Sequence, residues 1–330
     1  MTAHTYMGIT HVPAGEGRTV KIGPGTTIFK LVSADTAHTM ALWEGLIPPG
    51  FGTPPPHAHP QAETFYLLAG ALEFTGLNQD GPYTFRSEPG ATVHIPGGEP
   101  HRFVNAGTRP ARVLTITMPV GLERWFAEFA ALLPAGVPPG AALADPRVRE
   151  QVAALDATYG VGYAHPDDPT TLDTDKTIVH VPAGEGAAFA QGRGTNTVKL
   201  TSADTSGAMT LVEGVFPSGA ASVPLHTHPE AETFYALEGE AEFTGVDEDG
   251  PSTFMVRPGD VVYVPPRTPH QFTITNAEPA RGMVIVQPGG FERYLADLAA
   301  ARRPDGSADG ETLRAIGARY GVEYVRLSDR

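Results

Sequence analysis

The stretch HAHPQAETFYLLAG, residues 57–70, places two histidines one residue apart, a glutamate four residues after the second, and an apolar run that ends in glycine. Almost the same letters return as HTHPEAETFYALEG at residues 226–239. Side chains at positions i and i+2 of a strand point to the same face, so each histidine pair can be directed at one point. Since Pro60 and Pro229 cannot donate to a sheet ladder, we expect a turn there, after which the next strand brings the glutamate beside the pair.

These two stretches belong to a longer duplication. The segments HVPAGEG, SADT, EFTG and DGP each occur twice, and every pair is separated by the same 169 residues. A constant offset over more than a hundred residues indicates a tandem duplication, and two copies of this length are two domains rather than a solenoid. The sequence therefore predicts domains at residues 1–168 and 169–330, joined by the polar linker AHPDDPTTLDTDK at residues 164–176.

Each copy has the pattern of an all-β domain followed by helices. Many glycines and prolines, 38 and 32 of the 330 residues, separate short runs rich in Val, Ile, Thr, Phe and Tyr. These runs predict strands over about residues 8–118 and again over 178–287. Apolar residues at helical spacing then predict a helix from Leu122 to Leu133, and Asp145 with Pro146 marks the start of a second helix that ends at Gly160. The second copy repeats this pattern.

Composition excludes several classes of function. The formal net charge of −14 and the lack of a lysine and arginine cluster argue against a nucleic-acid partner, because phosphate binding needs concentrated positive charge. Apolar runs are too short to span a bilayer, and the first residues lack the pattern of a secretory signal. No cysteine is present, which removes disulfides and thiolate ligands. We therefore predict a cytoplasmic protein without a membrane or nucleic-acid partner.

A third histidine completes each set. It follows EPGATVHIPGGEP in the first copy and RPGDVVYVPPRTP in the second. Three imidazoles and one carboxylate suit a divalent transition metal rather than calcium or magnesium, with Fe, Ni or Mn favoured and Cu or Zn as alternatives. The sequence thus predicts one metal per domain, held by His57, His59, Glu63 and His101 in the first and by His226, His228, Glu232 and His270 in the second. The remaining histidines are interpreted as non-ligands: His4, His11, His38, His94, His165 and His180.

These residues resemble the paired motifs of the cupin superfamily, G-x5-H-x-H-x3,4-E-x6-G and G-x5-P-x-G-x2-H-x3-N. The first copy matches the second motif in full, through Gly90, Pro96, Gly98, His101 and Asn105. The second copy departs from it at two frame positions, Arg267 and Ile274, but keeps every metal ligand. The resemblance implies two tandem cupin domains, each a jelly-roll β-barrel with the metal inside.

Within the superfamily, the chain resembles the quercetin 2,3-dioxygenases, which cleave flavonols. The resemblance implies a metal-dependent dioxygenase whose partners are dioxygen and a small aromatic enol, with Glu63 and Glu232 acting as ligand and catalytic base. By strand parity the side chains that share the ligands' face, and that we predict to line the substrate pocket, are Phe65, Phe103, Phe234 and Phe272. Because its second motif is complete, we expect the first copy to carry more of the activity.

Two other functions stay open. One is a metal-dependent cyclase or isomerase that acts on a polyketide-like aromatic without consuming oxygen. The other is a bicupin that binds metal or ligand without catalysis. The sequence leaves the physiological substrate, the identity of the metal and the oligomeric state undetermined, and a homodimer is one of the states it allows.

Overall fold

The computed structural model describes residues 4–6, 8–53, 56–78, 80–134, 137–163, 176–191, 193–220, 224–247, 250–303 and 307–326. The predicted domain boundary, between residues 168 and 169, and nearly all of the predicted linker lie outside these ranges. The chain divides into two compact units. The N-terminal unit is Gly17–Gly184, and the C-terminal unit combines Met1–Glu16 with Glu185–Arg330.

The described residues are mostly strands. Those that precede the first helix are β1 (His4–Tyr6), β2 (Ile9–Val12), β3 (Arg18–Ile22), β4 (Gly25–Leu31), β5 (Ala41–Ile47), β6 (His57–Ala58), β7 (Ala62–Ala69), β8 (Leu72–Asn78), β9 (Gly81–Ser87), β10 (Thr92–Ile95), β11 (His101–Val104) and β12 (Ala111–Met118). Three helices and a short strand follow, namely α1 (Leu122–Leu132), α2 (Pro139–Ala142), α3 (Pro146–Tyr159) and β13 (Gly162–Tyr163).

The second half repeats this order. Its strands are β14 (Val179–Val181), β15 (Ala187–Gln191), β16 (Gly194–Leu200), β17 (Thr210–Phe216), β18 (His226–Thr227), β19 (Ala231–Glu238), β20 (Ala241–Asp247), β21 (Gly250–Val256), β22 (Val261–Val264), β23 (His270–Ile274) and β24 (Ala280–Gln287). The chain then forms α4 (Phe291–Ala300), α5 (Gly310–Arg319) and β25 (Glu323–Tyr324).

Each unit contains two sheets, and every strand pair described is antiparallel. In the N-terminal unit the order is β14-β10-β7-β12-β5-β4-β3 in one sheet and β13-β6-β11-β8-β9 in the other. In the C-terminal unit it is β1-β2-β22-β19-β24-β17-β16-β15 and β21-β20-β23-β18-β25. Two facing antiparallel sheets followed by short helices confirm the predicted fold class, all-β with tandem jelly-roll domains.

The two units exchange short strands along the chain. Strand β2 belongs to the C-terminal unit, where it pairs with β22, and β14 belongs to the N-terminal unit, where it pairs with β10. His11 on β2 lies 2.9 Å from a carboxylate oxygen of Asp260 and stacks on the ring of Phe254. The backbone N–H of Ala14 donates to the same carboxylate at 2.7 Å. The repeated segment HVPAGEG therefore contributes to a strand in each unit, namely β2, which lies between β1 and β22, and the edge strand β14.

The predicted helices are present with their predicted caps. The Asp145 side chain accepts a hydrogen bond from the backbone N–H of Arg147 at the start of α3, and Gly160 ends that helix at φ +70°. A left-handed residue at this position favours glycine. The Pro/Gly-rich stretch between the helices was predicted to be a loop, but it contains the short helix α2, with Pro139 at its first position. No helix in the described ranges has both the length and the apolar character required to cross a membrane.

The backbone conformation at the end of each histidine motif requires a glycine. Gly70 and Gly239 follow β7 and β19 at φ +69° and +76°, where a side chain is strained. A Cβ at Gly70 would lie 2.7 Å from the carbonyl oxygen of Pro110, and one at Gly239 would lie 2.8 Å from Ala280. These glycines allow the chain to leave the strand that carries the glutamate and to return beside it.

Candidate metal centres

In the N-terminal unit, three neighbouring strands bring the predicted ligands together. His57 on β6 lies directly opposite His101 on β11, and Glu63 lies near the start of β7. The carboxylate of Glu63 is 3.0 Å from Nε2 of His101 and 3.5 Å from Nε2 of His59. One nitrogen from each histidine lies within 4.8 Å of the other two. The first predicted set is therefore one cluster in the structure.

The C-terminal unit repeats this geometry. His226 on β18 lies opposite His270 on β23. The carboxylate of Glu232 is 3.1 Å from Nε2 of His270 and 3.6 Å from Nε2 of His228. The nitrogens of the three histidines again lie within 4.8 Å of one another. The two predicted ligand sets thus have almost the same arrangement, one in each unit.

Backbone carbonyls orient several of these rings. Nδ1 of His101 lies 2.8 Å from the carbonyl oxygen of Glu99, and Nδ1 of His270 lies 2.9 Å from that of Thr268. Nδ1 of His226 lies 3.0 Å from the carbonyl oxygen of Pro224. A carbonyl can only accept, so in each pair Nδ1 carries a hydrogen, and Nε2 is the ring nitrogen left to face the centre. Such contacts are the usual way in which metal-binding histidines are oriented.

The donor sets fit a metal ion. Nε2 of His59 and Nε2 of His228 are buried and have no hydrogen-bond partner among the described residues. Buried polar atoms are normally paired, so these nitrogens imply a partner that the protein itself does not supply. Three imidazole nitrogens and one carboxylate oxygen are the ligand types of divalent transition metals. The structure thus contains two histidine-rich candidate metal sites, one per unit.

The histidines of each cluster keep its carboxyl group ionised. Burial by itself raises the pKa of the Glu63 carboxyl, but hydrogen bonds from His101 and His59 lower that pKa far below its usual range. The pKa of Glu232 is lowered in the same way by His228 and His270, against the effect of its burial. Both carboxylates are therefore ionised and available as ligands.

The pKa values of two histidines in the C-terminal cluster are shifted in opposite directions. Burial lowers the pKa of His226 to about 3, so its ring is neutral. Burial also lowers the pKa of His228, but the charges of Glu232 and Glu230 outweigh it and raise that pKa to about 10. Glu230 lies on the Nδ1 side of His228, and Gln61 occupies the equivalent place in the N-terminal unit.

A cavity of about 240 Å³ opens at the C-terminal cluster. The four predicted ligands line it, together with the rings of Phe216, Phe234, Phe272 and Phe291 and the hydroxyl-bearing ring of Tyr294. Two of the predicted pocket residues, Phe234 and Phe272, therefore share a cavity with the ligands. Their counterparts, Phe65 and Phe103, pack with each other at 5.4 Å between ring centroids, within the core cluster of the N-terminal unit.

Sequence reasoning missed other residues that line this cavity, among them Phe216, Glu230, Phe291 and Tyr294. Phe216 and Phe291 come from β17 and α4, which lie far from the histidine motif in the chain. Glu230 and Tyr294 differ from the first copy, where the equivalent residues are Gln61 and Trp125. Differences between otherwise similar copies are the signal that would have found them.

The histidines interpreted as non-ligands lie away from both clusters in the described ranges. His11 contacts Asp260, and His94 contacts the hydroxyl of Thr64 at 2.8 Å. The ring of His180 packs on Phe85. His165 lies outside the described residues. The histidine groups found by geometry contain only the residues of the two predicted sets.

Comparisons with known proteins agree with this architecture. The family model described as "Cupin domain" matches residues 43–117 and 212–286. Quercetin 2,3-dioxygenase of Bacillus subtilis (strain 168) is 26% identical over 255 residues, which are 74% of this chain and 72% of that protein.

Solved structures with a similar fold include two oxalate decarboxylases. The enzyme of Lactobacillus farciminis, in a formate complex, has a TM-score of 0.56 and 18% identity, and covers 85% of this chain and 86% of its own. Bacillus subtilis oxalate decarboxylase, in a structure concerned with its Mn(II) centres, has a TM-score of 0.56 and 19% identity over 84% of this chain and 77% of its own. At this identity, the similarity concerns the fold.

Proposed function

The chain is a bicupin, a protein of two cupin domains, and from that premise we propose that it is a metal-dependent dioxygenase that cleaves a flavonol-like aromatic enol. The relative with quercetin 2,3-dioxygenase activity supports this reaction class over most of the chain. The overall reaction consumes the enol and dioxygen, opens the ring and releases carbon monoxide, so both oxygen atoms of dioxygen remain in the products.

The observation that carries the proposal is the cavity of the C-terminal unit. It places phenylalanine rings and the His226, His228, His270 and Glu232 cluster around one space of about 240 Å³. An apolar aromatic wall with a few convergent polar groups is typical of a small-molecule site. A small dicarboxylate such as oxalate needs several cationic or hydrogen-bonding partners instead. Arg293 borders the cavity, but its side chain is 74% exposed and lies beside Glu292.

Each group in this cavity has a defined task. Glu232 accepts the proton of the substrate hydroxyl, since its carboxylate is buried among the ligand nitrogens. Phe234 and Phe272 pack against the substrate ring and exclude water. Glu63 has the same surroundings in the N-terminal unit, where Phe65 and Phe103 lie behind the ligands.

A divalent transition metal held by the quartet would supply a Lewis acid. His226 and His270 can present Nε2 to it because backbone carbonyls hold their Nδ1 hydrogens. We favour Fe, Ni or Mn, with Cu or Zn as alternatives, because a mixed nitrogen and oxygen donor set binds all of these.

The proposed partners are dioxygen and a small aromatic substrate, without nucleic acid or a membrane. The acidic net charge of −14 supports the absence of a nucleic-acid partner. The cytoplasmic location stays a prediction. A homodimer is compatible with this function but is not required by it.

The test is dioxygen consumption by protein loaded separately with Fe, Mn, Ni or Cu, measured with a panel of flavonols and simpler enols. We expect oxygen uptake with at least one flavonol, accompanied by carbon monoxide release in equal amount. Product formation without oxygen uptake would instead identify a cyclase or isomerase, and oxalate conversion would identify a decarboxylase. If metal-loaded protein binds the panel but changes none of its members, the proposed function is wrong and a binding bicupin is favoured.

A further inference from the structure

Tyr294 places a phenol hydroxyl at the cavity of the C-terminal unit. It lies one turn into α4, its side chain is only 5% exposed, and it lines the same space as the metal ligands. Its ring is held by Phe291 and Tyr320, at 5.6 and 5.3 Å between ring centroids. Among the described residues, the hydroxyl has no hydrogen-bond partner. A phenol hydroxyl at a cavity wall that has no partner within the protein can donate to a group that enters the cavity.

In the N-terminal unit, the residue at the equivalent position has a hydrogen-bond partner within the protein. Trp125 takes the place of Tyr294, and its indole N–H donates to Asp156 at 2.8 Å. The hydroxyl of Tyr163 donates to the other oxygen of Asp156 at 3.1 Å. This aspartate is held by two donors, and the indole N–H is not available for a ligand.

The C-terminal unit lacks this internal acceptor. The match between Tyr159 and Tyr320 aligns Asp156 with Gly317, which has no side chain. A Cβ at Gly317 would lie 3.9 Å from the hydroxyl of Tyr324, the counterpart of Tyr163. The second copy therefore has a phenol donor but no carboxylate to receive its hydrogen bond.

We propose that the Tyr294 hydroxyl donates a hydrogen bond to an oxygen of the enol–ketone pair of the substrate, and so selects substrates that present such an oxygen in the C-terminal cavity. This inference rests on the proposed function for its substrate class. Its geometric basis is the shared cavity and the absence of the carboxylate that occupies the donor in the other unit. Burial, together with the charges of Tyr324 and Glu232, raises the pKa of Tyr294, which therefore remains a donor at neutral pH.

The test separates binding from catalysis. The nickel-loaded protein is titrated with 3-hydroxyflavone in the absence of dioxygen, and both the dissociation constant and the absorption band of the bound flavonol are measured. Tyr294→Phe keeps the ring that packs on Phe291 and removes only the hydroxyl. The matched control, Tyr159→Phe, removes a hydroxyl that donates to Glu128 at 2.6 Å in the other unit.

We expect Tyr294→Phe to bind 3-hydroxyflavone about tenfold to a hundredfold more weakly, as for the loss of a hydrogen bond to a charged acceptor. The absorption band should shift and the nickel content should stay unchanged, while Tyr159→Phe behaves like the wild type. Equal affinity and an unshifted band in Tyr294→Phe would overturn the inference, whatever the enzyme catalyses. A weaker variant in a protein that consumes no oxygen would support the role of Tyr294 and reject only the dioxygenase. Failure of the wild type to bind 3-hydroxyflavone would overturn both.

Discussion

The carboxylate of Glu230 lies 3.4 Å from Nδ1 of His228, while Nε2 on the opposite side of the same ring faces Glu232 at 3.6 Å. A carboxylate behind a metal-binding imidazole orients the ring and makes it a stronger donor. The equivalent residue in the N-terminal unit is the uncharged Gln61, beside His59. The two centres therefore have the same ligand types, but only His228 has a carboxylate beside its Nδ1.

Replacing Glu230 by glutamine should weaken metal retention in the C-terminal unit by about tenfold or more, the usual range for the loss of such a partner. The N-terminal unit should keep its metal, because it already has glutamine at this position. Metal loss is measured by elemental analysis after competition with a chelator. Glu242→Gln, at an exposed position on β20, is the matched control. Identical retention in Glu230→Gln and wild type would show that the carboxylate has no such role.

Two metal ions per chain are expected, one for each quartet. His59→Ala and His228→Ala should each reduce the content to about one, because each removes one nitrogen from a single cluster. The variants control for each other, and the double variant should be nearly metal-free. Elemental analysis after expression with added metal gives the stoichiometry. A wild-type content of one or less would argue against the second site.

Changing Glu232 to glutamine should separate the roles of ligand and base. The three histidines still provide a partial site, so the variant can be reloaded and should bind substrate, but its turnover should fall about a hundredfold or more. Glu63→Gln, the matched change in the other unit, should cost less, because the phenylalanine-lined cavity lies at Glu232. Turnover is measured at known metal content. Near-normal turnover of the reloaded Glu232→Gln protein would exclude a general-base role.

Asp260 should make part of the stability dependent on pH. Burial raises the pKa of its carboxyl, but hydrogen bonds from His11 and from the backbone N–H groups of Arg257 and Ala14 lower it below its usual value. A carboxyl with a lowered folded-state pKa stabilises the fold above its unfolded pKa of about 3.9, and this contribution disappears as the pH falls through the folded value.

Asp260→Asn should therefore be less stable than wild type at neutral pH by about 1–3 kcal/mol, because one buried donor loses its acceptor. The difference should shrink as the pH falls below about 4, where the wild-type carboxyl also loses its charge. Thermal unfolding midpoints of both proteins across this range provide the measurement. A difference that stays constant with pH would mean that the ionised form of Asp260 contributes nothing specific.

The ligand sets could be predicted because their geometry is local. The period of two in a strand places His57 and His59 together, and the duplication shows that the spacing is not accidental. The helix ends at Asp145 and Gly160 were equally readable, since caps depend on adjacent residues. Both predictions use interactions that span only a few positions in the chain.

The missed features depend on distant parts of the chain. His11 contacts Asp260, 249 residues away, so nothing near the histidine indicates which distant strand its segment joins. Tyr294 lines the cavity from a helix. The role of its hydroxyl is recognised only by comparison with the hydrogen bond between Trp125 and Asp156 in the other unit. The expectation drawn from the complete second motif, that the first copy carries more of the activity, stays a prediction, and the cavity at Glu232 favours the opposite order. Asn105 donates to the carbonyl oxygens of Ile47 and Arg109, so its side chain holds the backbone of the surrounding loops.

The exchange of β2 and β14 has a consequence for the order in which the protein can fold during its synthesis. Domains generally fold as units as the chain emerges from the ribosome. The N-terminal unit is continuous, from Gly17 to Gly184, and can fold as soon as β14 has emerged. Residues 9–12 are made before it, yet their partner β22, at Val261–Val264, is made much later. One of the first strands to be synthesised must therefore wait for its partner β22 until most of the chain exists, with only β1 to pair with before then.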